Sequence, residues 1–291
     1  MNETCFAVIG GDLRSAYVAD ALIEERRAVV TAGLELSGVV DPAHINTLEE
    51  ALSRADVVIL PLPLLDKTGR LQSCCSSERL DVFGILSRAR GETELFAGMV
   101  PPAVREHAER CGKRLSDYYL REELQIKNAV PTAEGTVELL MNRLPVTVSG
   151  SAFAVTGFGR TGSALALLLR AMGAQVTVYA RKSAARALAE SLGLRALPLA
   201  RLRSDPYAYA ALVNTIPARV INRDVLERMP AGALVVDLAS APGGVDFAYA
   251  AAHGIAAEAA GSLPGRVAPK TAGLIIKNTV MTMLAERGTE L

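Results

Sequence analysis

A chain of 291 residues is long enough for two domains, each with its own core. Half of the residues are apolar, and 31 basic groups balance 31 acidic ones, which excludes an extended nucleic-acid surface or a polybasic membrane patch. No apolar run reaches membrane-spanning length, and the start Met1-Asn2-Glu3-Thr4 lacks the basic segment of a secretory leader, so a cytoplasmic chain is expected.

In chain order, Phe6-Ala7-Val8-Ile9 predicts a strand, Gly10-Gly11-Asp12 a turn, and the stretch from about Arg14 to Glu25 a helix. Further strands are expected near Ala28-Val29-Val30, over Leu36 to Val40 and in the apolar run Asp56 to Pro63, with a helix over Thr47 to Ser53. The polar stretch Lys67 to Arg90 reads as a long loop over the carboxyl edge of the sheet. Glu94 to Gly98 then predicts a strand and Pro101 to Cys111 a helix. Cys5, Cys74, Cys75 and Cys111 show no CxxC spacing and are expected as free thiols.

Val130-Pro131 predicts the start of a helix at Thr132 that runs to Asn142, with Thr132 as its cap. The second half repeats the strand–helix alternation, with strands at Ala152 to Thr156, Gln175 to Tyr179, Ala211 to Pro217, Ala233 to Ala239 and Ile255 to Ala259, and an edge segment at Arg195 to Pro198. A last helix is expected over Thr271 to Glu286. Strands alternating with helices mean parallel sheets, so the fold class is α/β: two Rossmann-like, doubly wound domains joined by interdomain helices and facing each other across a cleft. The expected boundaries are 1–130 for a substrate and partner domain, 131–144 for an interdomain helix, 145–270 for a nucleotide domain and 271–291 for a helix returning to the first domain. Two crossings would make a hinge.

The most specific signal is Gly157-Phe158-Gly159-Arg160-Thr161-Gly162, placed between a strand and an apolar helix. A dinucleotide pyrophosphate needs that order: a tight turn, a close approach of backbone to phosphate, and close helix–strand packing. Gly157, Gly159, Arg160, Thr161 and Gly162 are therefore expected to bind a cofactor. The next strand runs into Ala180-Arg181-Lys182-Ser183, with no acid before Glu190. An NAD site usually carries Asp or Glu there for the ribose 2′-hydroxyl, whereas Arg181, Lys182 and Ser183 suit a 2′-phosphate, so the cofactor is read as NADP. Asn214, Thr215, Pro217 and Asp237, at the carboxyl ends of neighbouring strands, join the cofactor-binding set. No metal site is indicated.

The substrate side is less marked. Arg14, Ser15 and nearby backbone N–H groups follow the Gly10-Gly11-Asp12 turn and would hold a carboxylate; equally, Asp12 would simply cap the helix. Thr132, at the expected helix start, and Arg266 and Lys270, in the Pro- and Gly-rich run Ser262 to Thr271, are further anchors; the competing reading of that run is a rigid turn that launches the last helix. Arg14 and Lys270 are expected on opposite domains, as two anchors for an acidic ligand. For proton transfer the candidates are Asp12, Asp117, Tyr118 and Glu134. His44, His107 and His253 read as surface or helix-end residues, unlike the His–acid pair of hydroxy-acid dehydrogenases.

With Gly10 to Arg14, Gly91 to Glu94, Pro131 to Gly135, the glycine turn, Asn214 to Pro217 and Leu263 to Gly273 in place, the chain resembles, over nearly its whole length, the family of dipicolinate synthase A subunits of spore-forming bacteria. The resemblance implies an NADP-dependent oxidoreductase. It would convert 4-hydroxy-tetrahydrodipicolinate to dipicolinate during sporulation, in the mother-cell cytoplasm. It would work as an oligomer with a separately encoded, flavoprotein-like partner, the dipicolinate synthase B subunit. Two other readings stay open: a two-domain NADP-dependent dehydrogenase or reductase of another small acid, and a nucleotide-binding regulatory subunit whose chemistry sits in its partner.

Overall fold

Phe6 and Val8 face one apolar core while Cys5, Ala7 and Ile9 face another, so strand β1 (Cys5–Ile9) is buried on both sides. That is the environment of a central parallel strand covered by helices on both faces. The structure, a computed structural model, describes residues 4–205 and 208–288; Met1 to Glu3 of the expected start and residues 289–291 of the expected last segment lie outside the described residues. The chain divides into two compact units, Met1–Asn128 with Ala268–Leu291, and Ala129–Val267.

In the first unit, β1 is followed by α1 (Leu13–Glu24), β2 (Ala28–Ala32), α2 (Leu48–Arg54), β3 (Val57–Ile59), α3 (Val82–Arg88), β4 (Glu94–Ala97), α4 (Pro102–Arg110) and β5 (Leu115–Asp117). The sheet is parallel with order β2-β1-β3-β4-β5, which reverses direction between β1 and β3. α5 (Glu122–Arg143) leads out of this unit.

The second unit holds β6 (Ala152–Thr156), α6 (Arg160–Ala171), β7 (Gln175–Ala180), α7 (Ser183–Ser191), β8 (Arg195–Pro198), β9 (Ala211–Asn214), α8 (Arg223–Leu226), β10 (Leu234–Asp237), α9 (Phe247–Ala252), β11 (Ala257–Ala259) and α10 (Leu263–Val267). Its parallel sheet has the order β11-β10-β9-β6-β7-β8, with the reversal between β6 and β9. Phe153 and Val155 of β6 pack into one core and Ala154 into the other. The final helix α11 (Pro269–Ala285) belongs to the first unit, where it buries Ile276, Val280 and Leu284 against α1. Both units are thus doubly wound parallel-sheet α/β folds.

Three expectations about elements need correction, and one strand forms where none is predicted. No strand forms over Leu36 to Val40: Leu36 is exposed, and the Ser37 hydroxyl accepts from the N–H groups of Val39 and Val40, a local turn that replaces a ladder. The stretch Lys67 to Arg90 is not all loop, because Asp81 accepts from the N–H groups of Phe83 and Gly84 and starts α3, whose Val82, Ile85 and Leu86 are buried. The short edge strand β5 carries no alternation from which to foresee it. Finally, no helix begins at Thr132. α5 runs unbroken from Glu122 with Pro131 in its interior, held by burial of Leu124, Ala129, Ala133, Val137 and Leu140, which outweighs the proline's lost hydrogen bond.

Candidate functional site

Between β6 and α6, at the point where the second sheet reverses, Gly157-Phe158-Gly159 turn the chain. Gly157 has φ +91°, a conformation that L side chains rarely adopt. A Cβ on Gly162 would lie 2.4 Å from the Gly157 carbonyl oxygen, so helix and turn touch only because that residue is glycine. Gly159 is different. Its φ of −93° suits any residue, yet a Cβ there would meet no atom within 4 Å. The glycine leaves open space in front of α6, and among the described residues no side chain caps that helix. An anion in this space would complete the first turn formed by Arg160, Thr161 and Gly162. The cradle fits a dinucleotide pyrophosphate.

Register builds the rest of this edge. Thr156, Asn214 and Asp237 are the last residues of β6, β9 and β10 and lie side by side across the sheet. All three are buried. The Thr156 hydroxyl donates to Asn214 Oδ1 at 2.5 Å, and Asn214 Nδ2 donates to Asp237 Oδ1 at 2.8 Å and to the Ile216 carbonyl at 2.9 Å. Asp237 also accepts from the N–H groups of Ala239 and Gly244. The Asn214 and Asp237 side chains are therefore engaged within the protein and set the shape of the two loops. Thr215 donates to the Thr156 carbonyl at 2.8 Å, and Pro217 is exposed at the loop tip. Sequence reasoning alone misses Thr156; its signal is its place directly before the glycine turn.

β7 neighbours β6 and ends at Ala180, so Arg181, Lys182 and Ser183 start the loop and α7 one strand away from the glycine turn. All three are exposed, and among the described residues Arg181 and Lys182 form no ion pair. Arg186 stiffens this corner by donating to the carbonyls of Ala180 and Arg181 at 3.0 and 2.9 Å. A recess of about 440 Å³ among Pro145, Tyr209 and Pro230 adjoins Ala152, Ala211 and Leu234 at the amino edge of the sheet, opposite the glycine turn.

In the first unit the Gly10-Gly11-Asp12 turn also stands at the reversal of its sheet, between β1 and β3. Asp12 caps α1 through the Arg14 N–H, and the Arg14 guanidinium grips the same carboxylate with Nε at 3.0 Å and Nη2 at 2.7 Å. Arg14 is 4% exposed, so it is a buried, neutralised partner and not an open anchor for a substrate carboxylate. Ser15 is buried over Gly11. Residues 72–75 close over the turn, with the Gly11 N–H donating to the Gln72 carbonyl at 2.7 Å and the Cys75 N–H donating to the Gly11 carbonyl at 3.4 Å.

Asp117 accepts from the N–H groups of Met99, Val100 and Tyr119 and so fixes two loops. Tyr118 is fully buried and donates to the Leu60 carbonyl at 2.8 Å; burial pushes its hydroxyl far above the ordinary range. Both side chains are thus engaged by the protein's own backbone. Lys270 lies in the first turn of α11, its ammonium 5.9 Å from the centre of the Tyr17 ring. It shares the first unit with Arg14, so the expected grip from opposite domains does not hold. In the second unit, Thr132 sits inside α5 with its carbonyl accepting from the Thr136 hydroxyl, Glu134 is exposed, and Arg266 lines a recess of about 250 Å³ with Glu138, Asn142 and the Arg143–Glu258 ion pair. No helix among the described residues is long and apolar enough to cross a membrane.

Residues 5–119 match the model of the N-terminal domain of the dipicolinate synthase A subunit, and residues 125–246 that of the D-isomer specific 2-hydroxyacid dehydrogenase, NAD binding domain. The dipicolinate synthase A subunit of Bacillus subtilis (strain 168) is 35% identical over 283 residues, covering 96% of this chain and 95% of the relative. The crystal structure of the same synthase component from Bacillus subtilis aligns with a TM-score of 0.87 at 33% identity, over 100% of this chain and 99% of the other. That of the dipicolinate synthase A subunit from Bacillus halodurans aligns at 0.88 and 28%, over 97% and 98%. A dehydrogenase-type nicotinamide-nucleotide domain thus forms the second unit. Over its whole length the chain belongs to the family of dipicolinate synthase A subunits.

Proposed function

We propose that this protein is an NADP-dependent dehydrogenase subunit that converts 4-hydroxy-tetrahydrodipicolinate to dipicolinate. The reading rests on membership of the family and on one observation above the others: Arg181, Lys182 and Ser183 stand exposed at the end of β7, beside the glycine turn, with no acid before Glu190. Two cations and a hydroxyl attract the 2′-phosphate that distinguishes NADP, and a carboxylate in their place would repel it. The bound nicotinamide supplies a hydride acceptor. The chain's own part is to hold the pyrophosphate at the start of α6 and to fix the loops after β9 and β10 through Asn214 and Asp237, with Lys270 as a substrate anchor. Loss of water, of the hydride and of one proton yields an aromatic ring, and that supplies driving force.

Titration with both nucleotides tests the cofactor assignment. NADP is expected to bind at least about tenfold more tightly than NAD, because one charge-assisted phosphate contact contributes about 1.5–3 kcal/mol. Arg181→Glu should erase the preference; equal affinities in the unaltered protein would refute the reading.

A second reading, a nucleotide-binding subunit whose chemistry needs its partner, has its own support. Of the four proton-carrier candidates, Asp12 is paired with Arg14, Asp117 and Tyr118 are occupied internally, and Glu134 is exposed. The relatives are named as one subunit of a synthase, and the partner here would be a flavoprotein-like B subunit in the mother cell of a sporulating bacterium. The isolated chain should then bind NADP but turn over slowly, and adding that second chain should raise the rate. Turnover by the chain alone at rates usual for dehydrogenases, about 1–1,000 per second, with no gain from the partner would exclude this reading.

A further inference from the structure

Met99 follows β4 in a backbone conformation that a side chain makes costly. Its φ is +59°, in the left-handed region that favours glycine. Arg26, the other non-glycine residue with positive φ among the described residues of the first unit, closes the C-terminal end of α1, where that conformation is the usual helix stop. Met99 ends no helix. The residues around it hold it in place. Asp117 accepts from the Met99 N–H at 3.0 Å and from the Val100 N–H at 2.9 Å. On the other side, the Gly98 N–H donates to the Pro61 carbonyl at 3.0 Å, and the Gly98 carbonyl accepts from the Leu64 N–H at 2.8 Å. A Cβ on Gly98 would lie 2.6 Å from Leu62 Cδ1 and 2.7 Å from Tyr118 Cε2, so the loop is packed there without spare room.

This strain is not repaid by packing, because Met99 is 44% exposed. Strain of this kind persists where the fold over-determines it, and it gathers at ligand sites. The loop's position agrees. Pro61 ties the loop after β4 to the loop after β3, and it also lies against Gly11 of the loop after β1. β1 and β3 flank the reversal of the first sheet, and ligands of open α/β sheets bind outside the carboxyl ends of the strands at such a reversal. At this edge Met99 supplies a flexible apolar arm with a polarisable sulfur, which suits the face of a flat conjugated ring. The three N–H groups on Asp117, with Arg105 Nη2 3.9 Å from its Oδ2, offset the one negative charge next to Met99 and limit its repulsion of an anionic ligand.

We propose that Met99 is a substrate-contacting residue that lays its thioether against the ring face of a planar heterocyclic dicarboxylate. Such a ligand carries charge at its rim and an apolar surface on each face. The rim calls for cations and N–H groups, and the face calls for an apolar, polarisable contact. The inference rests on the dipicolinate reading above and adds to it the group that meets the ring itself.

The test titrates the full chain calorimetrically with dipicolinate and with its preferred nicotinamide nucleotide, and records a melting curve for each variant. Met99→Gly removes the side chain and the strain together, so its thermal midpoint should match or exceed that of the unaltered protein to within about two degrees. Its affinity for dipicolinate should fall at least about fivefold, with nucleotide affinity unchanged. Met99→Leu keeps the apolar bulk and should bind dipicolinate within about threefold of the unaltered protein, a recovery that a purely structural role would not give. Unchanged dipicolinate binding by Met99→Gly, or an equal loss of nucleotide affinity, would overturn this inference and leave the dipicolinate reading standing. A midpoint several degrees lower in Met99→Gly would overturn the argument from strain. No dipicolinate binding by the unaltered protein would overturn the substrate reading and this inference with it.

Discussion

Arg14 places Nη2 2.7 Å from Asp12 Oδ2 while its own backbone N–H donates to Oδ1 of the same carboxylate, so one acid both caps α1 and neutralises a buried guanidinium. The two side chains differ in access to water, at 5% exposure for Arg14 and 21% for Asp12. Water stands in for a lost partner at the aspartate more readily than at the arginine.

That asymmetry predicts unequal costs. Asp12→Ala strands the buried charge and removes the cap, and should cost about 2–4 kcal/mol. Arg14→Met keeps the apolar stem and leaves Asp12 capping the helix in contact with water, and should cost at least about 1 kcal/mol less. Urea denaturation of both variants measures the difference; equal losses would show that the pair is not organised this way.

The glycines of the nucleotide turn should separate into two kinds. Gly162→Ala forces a methyl against the Gly157 carbonyl and should lower stability by about 1–3 kcal/mol. Gly159→Ala enters open space at a φ that alanine accepts, so the thermal midpoint should stay within a degree or two while NADP affinity falls at least about tenfold. Calorimetric titration and a melting curve on each variant distinguish the roles, and a Gly159 variant that binds NADP normally would remove the phosphate cradle from the α6 start.

Asn214 joins Thr156 to Asp237, and its loss should be felt as instability before it is felt as chemistry. Asn214→Ala leaves buried partners unsatisfied, at about 1–3 kcal/mol each. Asn214→Asp sets a second carboxylate against Asp237 and should cost more than the alanine change at pH 7. Thermal midpoints of the two variants check the order, and the reverse order would mean that the Asn214–Asp237 contact contributes little.

Much of this was legible in the chain. β6, the glycine turn, α6 and β7 stand where the apolar runs and the Gly157, Gly159 and Gly162 spacing put them, because each is a local pattern: a buried strand, a turn, an apolar helix. The cationic loop after β7 follows from the same local order. Less legible were the elements whose fate depended on distant burial. Pro131 reads as a helix start, yet it lies in mid-helix because side chains on either side of it reach apolar cores. Leu36 to Val40 reads as a strand, yet a serine hydroxyl claims its N–H groups.

By itself the sequence determined the α/β class, the parallel sheets and the position of the nucleotide turn, since hydrophobic period and glycine spacing act over a few residues. Only the tertiary structure decided which polar groups are occupied. Asn214 and Asp237 are 23 residues apart in the chain and meet because β9 and β10 pair in register. Lys270, though 256 positions from Arg14, joins the same unit because the last helix returns to pack on α1. A side chain's availability depends on what the fold brings to its polar atoms, and contacts made across a sheet or between distant helices leave no mark on local sequence.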